Sequence, residues 1–225
     1  MRAAALVALL CVTGAMAQSP APTKSAPESL PAVSENKGAW DFGVWAGGGH
    51  TVSGGVEGVG VANAGFRIGK ILTGQHGSGW LKGNFEYAID LIPMFILTGV
   101  PDRSSIGVLC AVNVPNCRPP FAGSGTAYGG GLDPFAFKWN FTSGHRISPY
   151  IELAGGVLFT NKEIPFGTSD VNFMPQASIG MNIFTRERRA ISLDFRYMHI
   201  SNAGIASPNP GFNTLQGQIG FHWFK

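Results

Sequence analysis

Toward the C-terminal end of this 225-residue chain, a histidine and a serine stand two residues apart: His199 and Ser201, in the run FRYMHISNAG. A serine hydroxyl is a weak nucleophile until a neighbouring imidazole takes its proton. An imidazole does this best when a third group fixes its tautomer and ring orientation. On an extended strand, residues two apart share a face with Cα atoms about 7 Å apart, so these side chains can meet. The chemistry within reach is attack on an ester. Asn202, or backbone N–H groups beside it, could steady the oxyanion that forms. The plainer reading is a polar pair at a strand end, and H-x-S-N alone does not choose between the two.

The element that must carry the pair is the stretch before it. Ile191, Leu193, Phe195 and Tyr197 fall on one face of a strand, and Ser192, Asp194 and Arg196 on the other. His199 and Ser201 continue the apolar face upward, beside the loop NAGIASPNPG. If that face contacts lipid, the chemistry is aimed at lipid.

Composition bears on that question. Only 13% of residues are charged, against about a quarter in an average soluble domain, and glycine is abundant at 32 residues. The N-terminus MRAAALVALLCVTGAMA joins an arginine, a short apolar run and an Ala-x-Ala ending, which predicts a signal peptide over residues 1–17. Removing it takes away Arg2 and leaves a net charge near +2, with no basic run, which excludes nucleic acid as the expected partner. Residues 18–37 are rich in Pro, Ser and Ala without apolar period and predict a disordered leader. Beyond the signal no apolar run approaches the ~20 residues of a transmembrane helix. Two cysteines remain, Cys110 and Cys117, in a Pro-rich loop. In an oxidising compartment they read as a candidate disulfide rather than a metal site.

From residue 38 onward the chain is a series of alternating segments separated by Gly, Pro, Asn or charge clusters. Eight strands are expected, at roughly 39–48, 58–72, 79–98, 126–140, 146–160, 171–185, 189–200 and 214–224. In the third, Leu81, Phe85, Tyr87, Ile89 and Leu91 oppose Lys82, Asn84, Glu86 and Asp90; in the last, Leu215, Ile219, Phe221 and Trp223 oppose Gln216, Gln218 and His222. A soluble sandwich shows the same period. The connections separate the two. Those near 73–78, 141–145 and 186–189 are short, and those near 49–57, 99–125, 161–170 and 201–213 are longer, the two-rim pattern of an outer-membrane barrel. The expectation is an all-β fold: an eight-stranded antiparallel transmembrane β-barrel over 38–225. Glu86, Asp90, Glu152, Asp194 and Arg196 should pair in its lumen, and Trp40, Trp80, Trp139 and Trp223 should sit at the membrane interfaces.

The run Arg196-Tyr197-Met198-His199-Ile200-Ser201-Asn202-Ala203-Gly204, with Asn209-Pro210-Gly211 after it, resembles the outer-membrane lipid A 3-O-deacylases of the PagL type. The resemblance covers about 20 residues; elsewhere it is one of size, signal and strand count. It implies a barrel esterase with His199 as base, Ser201 as nucleophile and Asn202 in the oxyanion hole. It further implies lipid A, or lipopolysaccharide, as substrate, outer-membrane lipids as surroundings and no metal or cofactor. A homodimer stays open. One position departs from the pattern: where the best-known members carry a glutamate to orient the histidine, this chain has Asn213. An asparagine orients a histidine by hydrogen bonding without supplying negative charge. Glu163 and Asp170, in the preceding outer loop, are the candidate substitutes. The rival expectation is a non-catalytic barrel with a structural or binding role.

The remaining candidates read as surface or loop. His50 and His76 lie in Gly-rich stretches and His145 in a turn. Gly43 to Gly60 lacks the lysine and the strand–loop–helix context of a phosphate loop.

Overall fold

The computed structural model describes residues 35–101, 123–142, 146–164, 167–207 and 209–225. The expected signal peptide, Cys110 with Cys117, and His145 lie outside them, as does the leader up to residue 34. Its last residues, 35–37, already touch the barrel, where Gln75 Nε2 donates to Glu35 over 2.9 Å.

Eight long strands form one antiparallel sheet: β1 (Trp40–Gly54), β2 (Gly60–Ile71), β3 (Gly83–Val100), β4 (Gly125–Phe141), β5 (Ile147–Thr160), β7 (Gln176–Arg186), β8 (Arg189–Ile200) and β9 (Phe212–Phe224). A three-residue strand, β6 (Val171–Phe173), pairs with the end of β5. Neighbours in sequence pair throughout, β4 pairs with β5, and β1 pairs with β9, so the sheet closes on itself. The protein is an eight-stranded β-barrel, as expected from the sequence. Closure leaves no sheet edge with unpaired N–H and C=O groups, a condition hydrocarbon imposes on any spanning sheet.

The sides are inverted relative to a soluble protein. Phe66, Leu91, Phe135, Leu153, Ile179 and Phe195 point outward and are each more than half exposed. Inward, charged residues are buried and paired. The Arg67 guanidinium donates twice to Asp90, at 2.8 and 2.7 Å, and once to Glu152 at 2.6 Å. Arg196 reaches the same Glu152 at 3.2 Å, and Lys138 lies 2.9 Å from Glu86 and 3.4 Å from Asp41. Tyr150 donates to Asp194 over 3.0 Å, and Gln176 donates to Asp133. The lumen residues expected from the alternation therefore pair there. Trp40, Trp80 and Trp223 are exposed and Trp139 is partly so. All four fall at the rim carrying the connections 72–82, 142–146 and 187–188, as a girdle at one interface requires.

Above the ionic layer the lumen is apolar. Ile92, Phe95, Leu97, Leu158, Met174, Met198, Ile200 and Phe212 belong to one buried cluster that plugs the opposite end. Bulges in β3 allow this change of character, since each shifts the alternation by a residue.

Three boundaries differ from expectation. β1 continues to Gly54, because the run Gly47–Gly48–Gly49 pairs in full register with β9 although glycines show no alternation. The first outer connection is therefore only 55–59. The sixth segment is broken at Met174–Pro175, where proline has no N–H to give the ladder. The third begins at Gly83, after a single 3₁₀ turn over Gly79–Leu81.

Two substitutions test this inverted arrangement. Ile179→Arg places a charge on the apolar exterior and should lower barrel stability by about 2–4 kcal/mol. Arg67→Ala leaves Asp90 and Glu152 buried beside an empty site and should cost about 3–5 kcal/mol. Urea unfolding in detergent micelles, followed by the gel-mobility shift of folded barrels, measures both.

Candidate active site

The candidate residues meet at the end of the barrel closed by the apolar plug. On β8, Met198 and Ile200 point into the plug and are buried, and on β9 Phe212 does the same. Alternation then turns His199, Ser201 and Asn213 outward, each half-buried. The inward anchors thus hold the outward groups on strand ends rather than on a free loop.

Register does the rest. His199 faces Asn213 across the β8–β9 ladder, and the two side chains join with His199 Nδ1 2.7 Å from Asn213 Oδ1. The position opposite the histidine is thus filled by asparagine. Neither Glu163 nor Asp170 takes that place. Glu163 accepts from Gly167 N–H within its own loop, at 2.8 Å, and the Asp170 carbonyl accepts from Thr160 N–H. On the other side of β8, His199 N–H donates to the Pro175 carbonyl, and Ser201 exchanges both backbone bonds with Phe173. β6, the first part of the segment expected at 171–185, is what fixes the backbone of Ser201.

Gly211 lies against both groups. A Cβ built there would stand 3.1 Å from His199 Cε1, 3.5 Å from Nε2 and 3.4 Å from Ser201 Cβ. Its φ of +46° is a second reason for glycine. The imidazole edge carrying Nε2 and the serine Cβ therefore converge on one small space left by a missing side chain. In this resting arrangement Ser201 Oγ has no hydrogen-bond partner among the described residues; hydrogen bonds of reactive groups commonly tighten only with substrate bound.

Asn202 is buried at 1% exposure. Its backbone N–H donates to Asn209 Oδ1 over 3.1 Å, and its side-chain oxygen accepts from Gly204 N–H over 2.8 Å. It builds the turn that follows Ser201, in which Ala203 takes a left-handed φ of 51°.

One participant was missed in the sequence. Asn213 Nδ2 donates to Ser53 Oγ over 3.0 Å and approaches the Ser53 carbonyl at 3.5 Å. Ser53 stands at the end of β1, in a stretch read as loop. Among the described residues no group of three or more His, Cys, Asp or Glu is placed to hold a metal ion.

With this geometry in view, the family of lipid A 3-O-deacylases (PagL) matches over residues 120–222. The match takes in β4 to β9, with His199, Ser201, Asn202 and Asn213, and leaves Ser53 outside. The barrel is similar to the crystal structure of the outer membrane enzyme PagL, at 17% identity and a TM-score of 0.50, covering 79% of this chain and 97% of that one. It is equally similar in shape to the outer membrane protein OprG from Pseudomonas aeruginosa, at 9% identity and a TM-score of 0.50, covering 86% and 99%. At such identities the likeness is one of fold. No curated protein matches the sequence. The chain is a bacterial outer-membrane β-barrel. The rim with the connections 55–59, 101–124, 161–170 and 201–211 is then the outer one, and His199 and Ser201 stand at the outer leaflet.

Gly211→Ala tests whether the space between His199 and Ser201 matters. Its Cβ would push the imidazole aside, and misplacement of this kind costs on the order of 10²-fold in the rate of an ester hydrolase. The expected outcome is that loss in Ser201 labelling by a fluorophosphonate, with the folded gel mobility unchanged.

Proposed function

We propose that this protein is a serine esterase of the outer membrane that removes an ester-linked acyl chain from lipid A. The observation that carries the reading is the arrangement of His199 bonded to Asn213, with its far edge turned to the space shared with Ser201, on the lipid-facing side of the outer rim. The family match over the same residues supports it, and the family's activity, 3-O-deacylation of lipid A, names the ester.

The steps are those of acyl transfer. Ser201 turns about χ1 toward the imidazole, its Oγ adds to the acyl carbonyl, and the hydroxyl proton passes to His199 Nε2. The sugar oxygen leaves as the tetrahedral intermediate collapses and takes that proton from His199. Water then enters and gives a proton to Nε2 as its oxygen adds to the acyl-serine carbonyl; the intermediate collapses, Ser201 Oγ takes that proton back from Nε2, and the fatty acid leaves. Asn202 is the proposed oxyanion residue; its side-chain N–H₂ group would serve. No metal or cofactor enters these steps.

The substrate's acyl chain has somewhere to lie. An apolar hollow of about 380 Å³ opens on the barrel exterior between Phe135, Gly155, Val157, Phe173 and Pro175. Phe173 and Pro175 are the residues bonded to the backbones of Ser201 and His199, so the hollow begins beside them. The hollow lies on the flank of β8 away from β9.

Asn213 favours one rival reading, a barrel that binds lipid without hydrolysing it. An asparagine aligns His199 but does not stabilise the imidazolium by charge. A homodimer finds no support in the comparisons and forms no part of the proposal.

Expression in an outer membrane followed by mass spectrometry of lipid A separates the two. The proposal expects loss of one ester-linked acyl chain from lipid A, abolished by Ser201→Ala or His199→Ala, and faster turnover in Asn213→Glu. Unchanged lipid A with a folded wild-type barrel supports the binding role.

A further inference from the structure

We infer that Ser53 is a positioning residue that makes Asn213 an obligate acceptor toward His199, and so sets the imidazole tautomer. The inference rests on the esterase reading for its purpose but not for its geometry.

An asparagine amide can face a neighbour with either end. If Nδ2 faced His199, Nδ1 would have to accept, the ring proton would sit on Nε2, and Nε2 could not take a proton from Ser201. If Oδ1 faces His199, Nδ1 must carry the proton and Nε2 keeps its lone pair on the Ser201 side. A glutamate has no such ambiguity, because a carboxylate only accepts. Replacing the acid by Asn213 therefore creates an orientation problem that something else must solve.

Ser53 solves it. Asn213 Nδ2 lies 3.0 Å from Ser53 Oγ and 3.5 Å from the Ser53 carbonyl oxygen. The hydroxyl can play either role, but the carbonyl can only accept. The flipped amide would set two acceptor oxygens against each other. Together the hydroxyl and carbonyl hold Nδ2 on the β1 side and leave Oδ1 on His199, 2.7 Å from Nδ1.

The strand is bent to make this contact. Along β1 the pairing with β9 runs regularly through His50–Leu215 and Thr51–Thr214, then skips a residue, and Ser53 pairs with Asn213. Without this bulge at Val52 the partner of Asn213 would be valine, which has no polar side chain. A bulge commonly re-aims a side chain beside a site, and here it exchanges a methyl group for a hydroxyl. The strand end is fastened in that position: Gly55 N–H donates to the carbonyls of Pro210 and Gly211, at 3.1 and 2.7 Å. At Gly54, φ is +115° and a Cβ would stand 2.6 Å from Phe212 Cα. The same loop segment thus presses Gly211 onto His199 and holds Ser53 on Asn213.

The test is ¹⁵N NMR of the histidine side chains in the full chain in micelles, at about pH 8 where an imidazole is mostly neutral, with His199 assigned from His199→Gln. The expected result is a proton on Nδ1 in the wild type, a mixture of tautomers in Ser53→Ala, recovery in Ser53→Thr, and a proton on Nδ1 in Asn213→Asp whether or not Ser53 is also changed. Lipid A hydrolysis should fall about tenfold in Ser53→Ala, the worth of one neutral hydrogen bond, and return in Ser53→Thr. A proton on Nε2 in the wild type, or a tautomer indifferent to Ser53→Ala, overturns the inference. The tautomer is read without turnover. A wild type that leaves lipid A intact while carrying its proton on Nδ1 defeats the esterase reading and not this one.

Discussion

A sheet in hydrocarbon must bond every backbone N–H and C=O to itself, and the closure of β1 onto β9 is how this chain meets that condition. The other features follow from it. With the exterior given to lipid, polar side chains can go only inward. There Arg67, Lys138 and Arg196 pair with Asp90, Glu152, Glu86 and Asp41. These pairs and the apolar plug above them occupy the interior. Any chemistry on a lipid belongs on the outer wall.

That wall is an unusual place to hold reacting groups, since it faces lipid. The solution visible here is a ladder. His199 is fixed by β9 on one side and by the Pro175 carbonyl on the other, and Ser201 by Phe173. The inward neighbours Met198, Ile200 and Phe212 lock the same backbone from below. Positional precision comes from sheet register and core packing, and substrate access from lying at the lipid surface. A hydrogen-bond relay from Ser53 through Asn213 to His199 then runs across three strands at one level.

Much of this was legible in the sequence, for a specific reason. Alternation with period two assigns each residue to a face, so the outward direction of His199, Ser201 and Asn213 and the lumen pairing of Glu86, Asp90, Glu152, Asp194 and Arg196 followed from residue order. Features that depend on a partner strand did not. Gly47–Gly49 carry no pattern, so the last turn of pairing in β1 read as loop. β6 is three residues long and exists only because β5 and Ser201 flank it. The bulge at Val52 shifts register by one residue, and no local signal in HTVSGG announces it beyond the paired glycines that follow. Ser53 was therefore missed. Asn202 follows the nucleophile in sequence, and its hydrogen bonds with Asn209 and Gly204 within the loop were not legible there.

The central claim is that Ser201 becomes acylated by lipid A. Mixing the purified full-length barrel in micelles with lipid A, quenching in acid at short times and mapping the intact and digested mass measures this directly. The account predicts a transient adduct of one acyl chain on the peptide carrying Ser201, absent in His199→Gln. An adduct on another residue, or deacylated lipid A formed at an undiminished rate by Ser201→Ala, would contradict it.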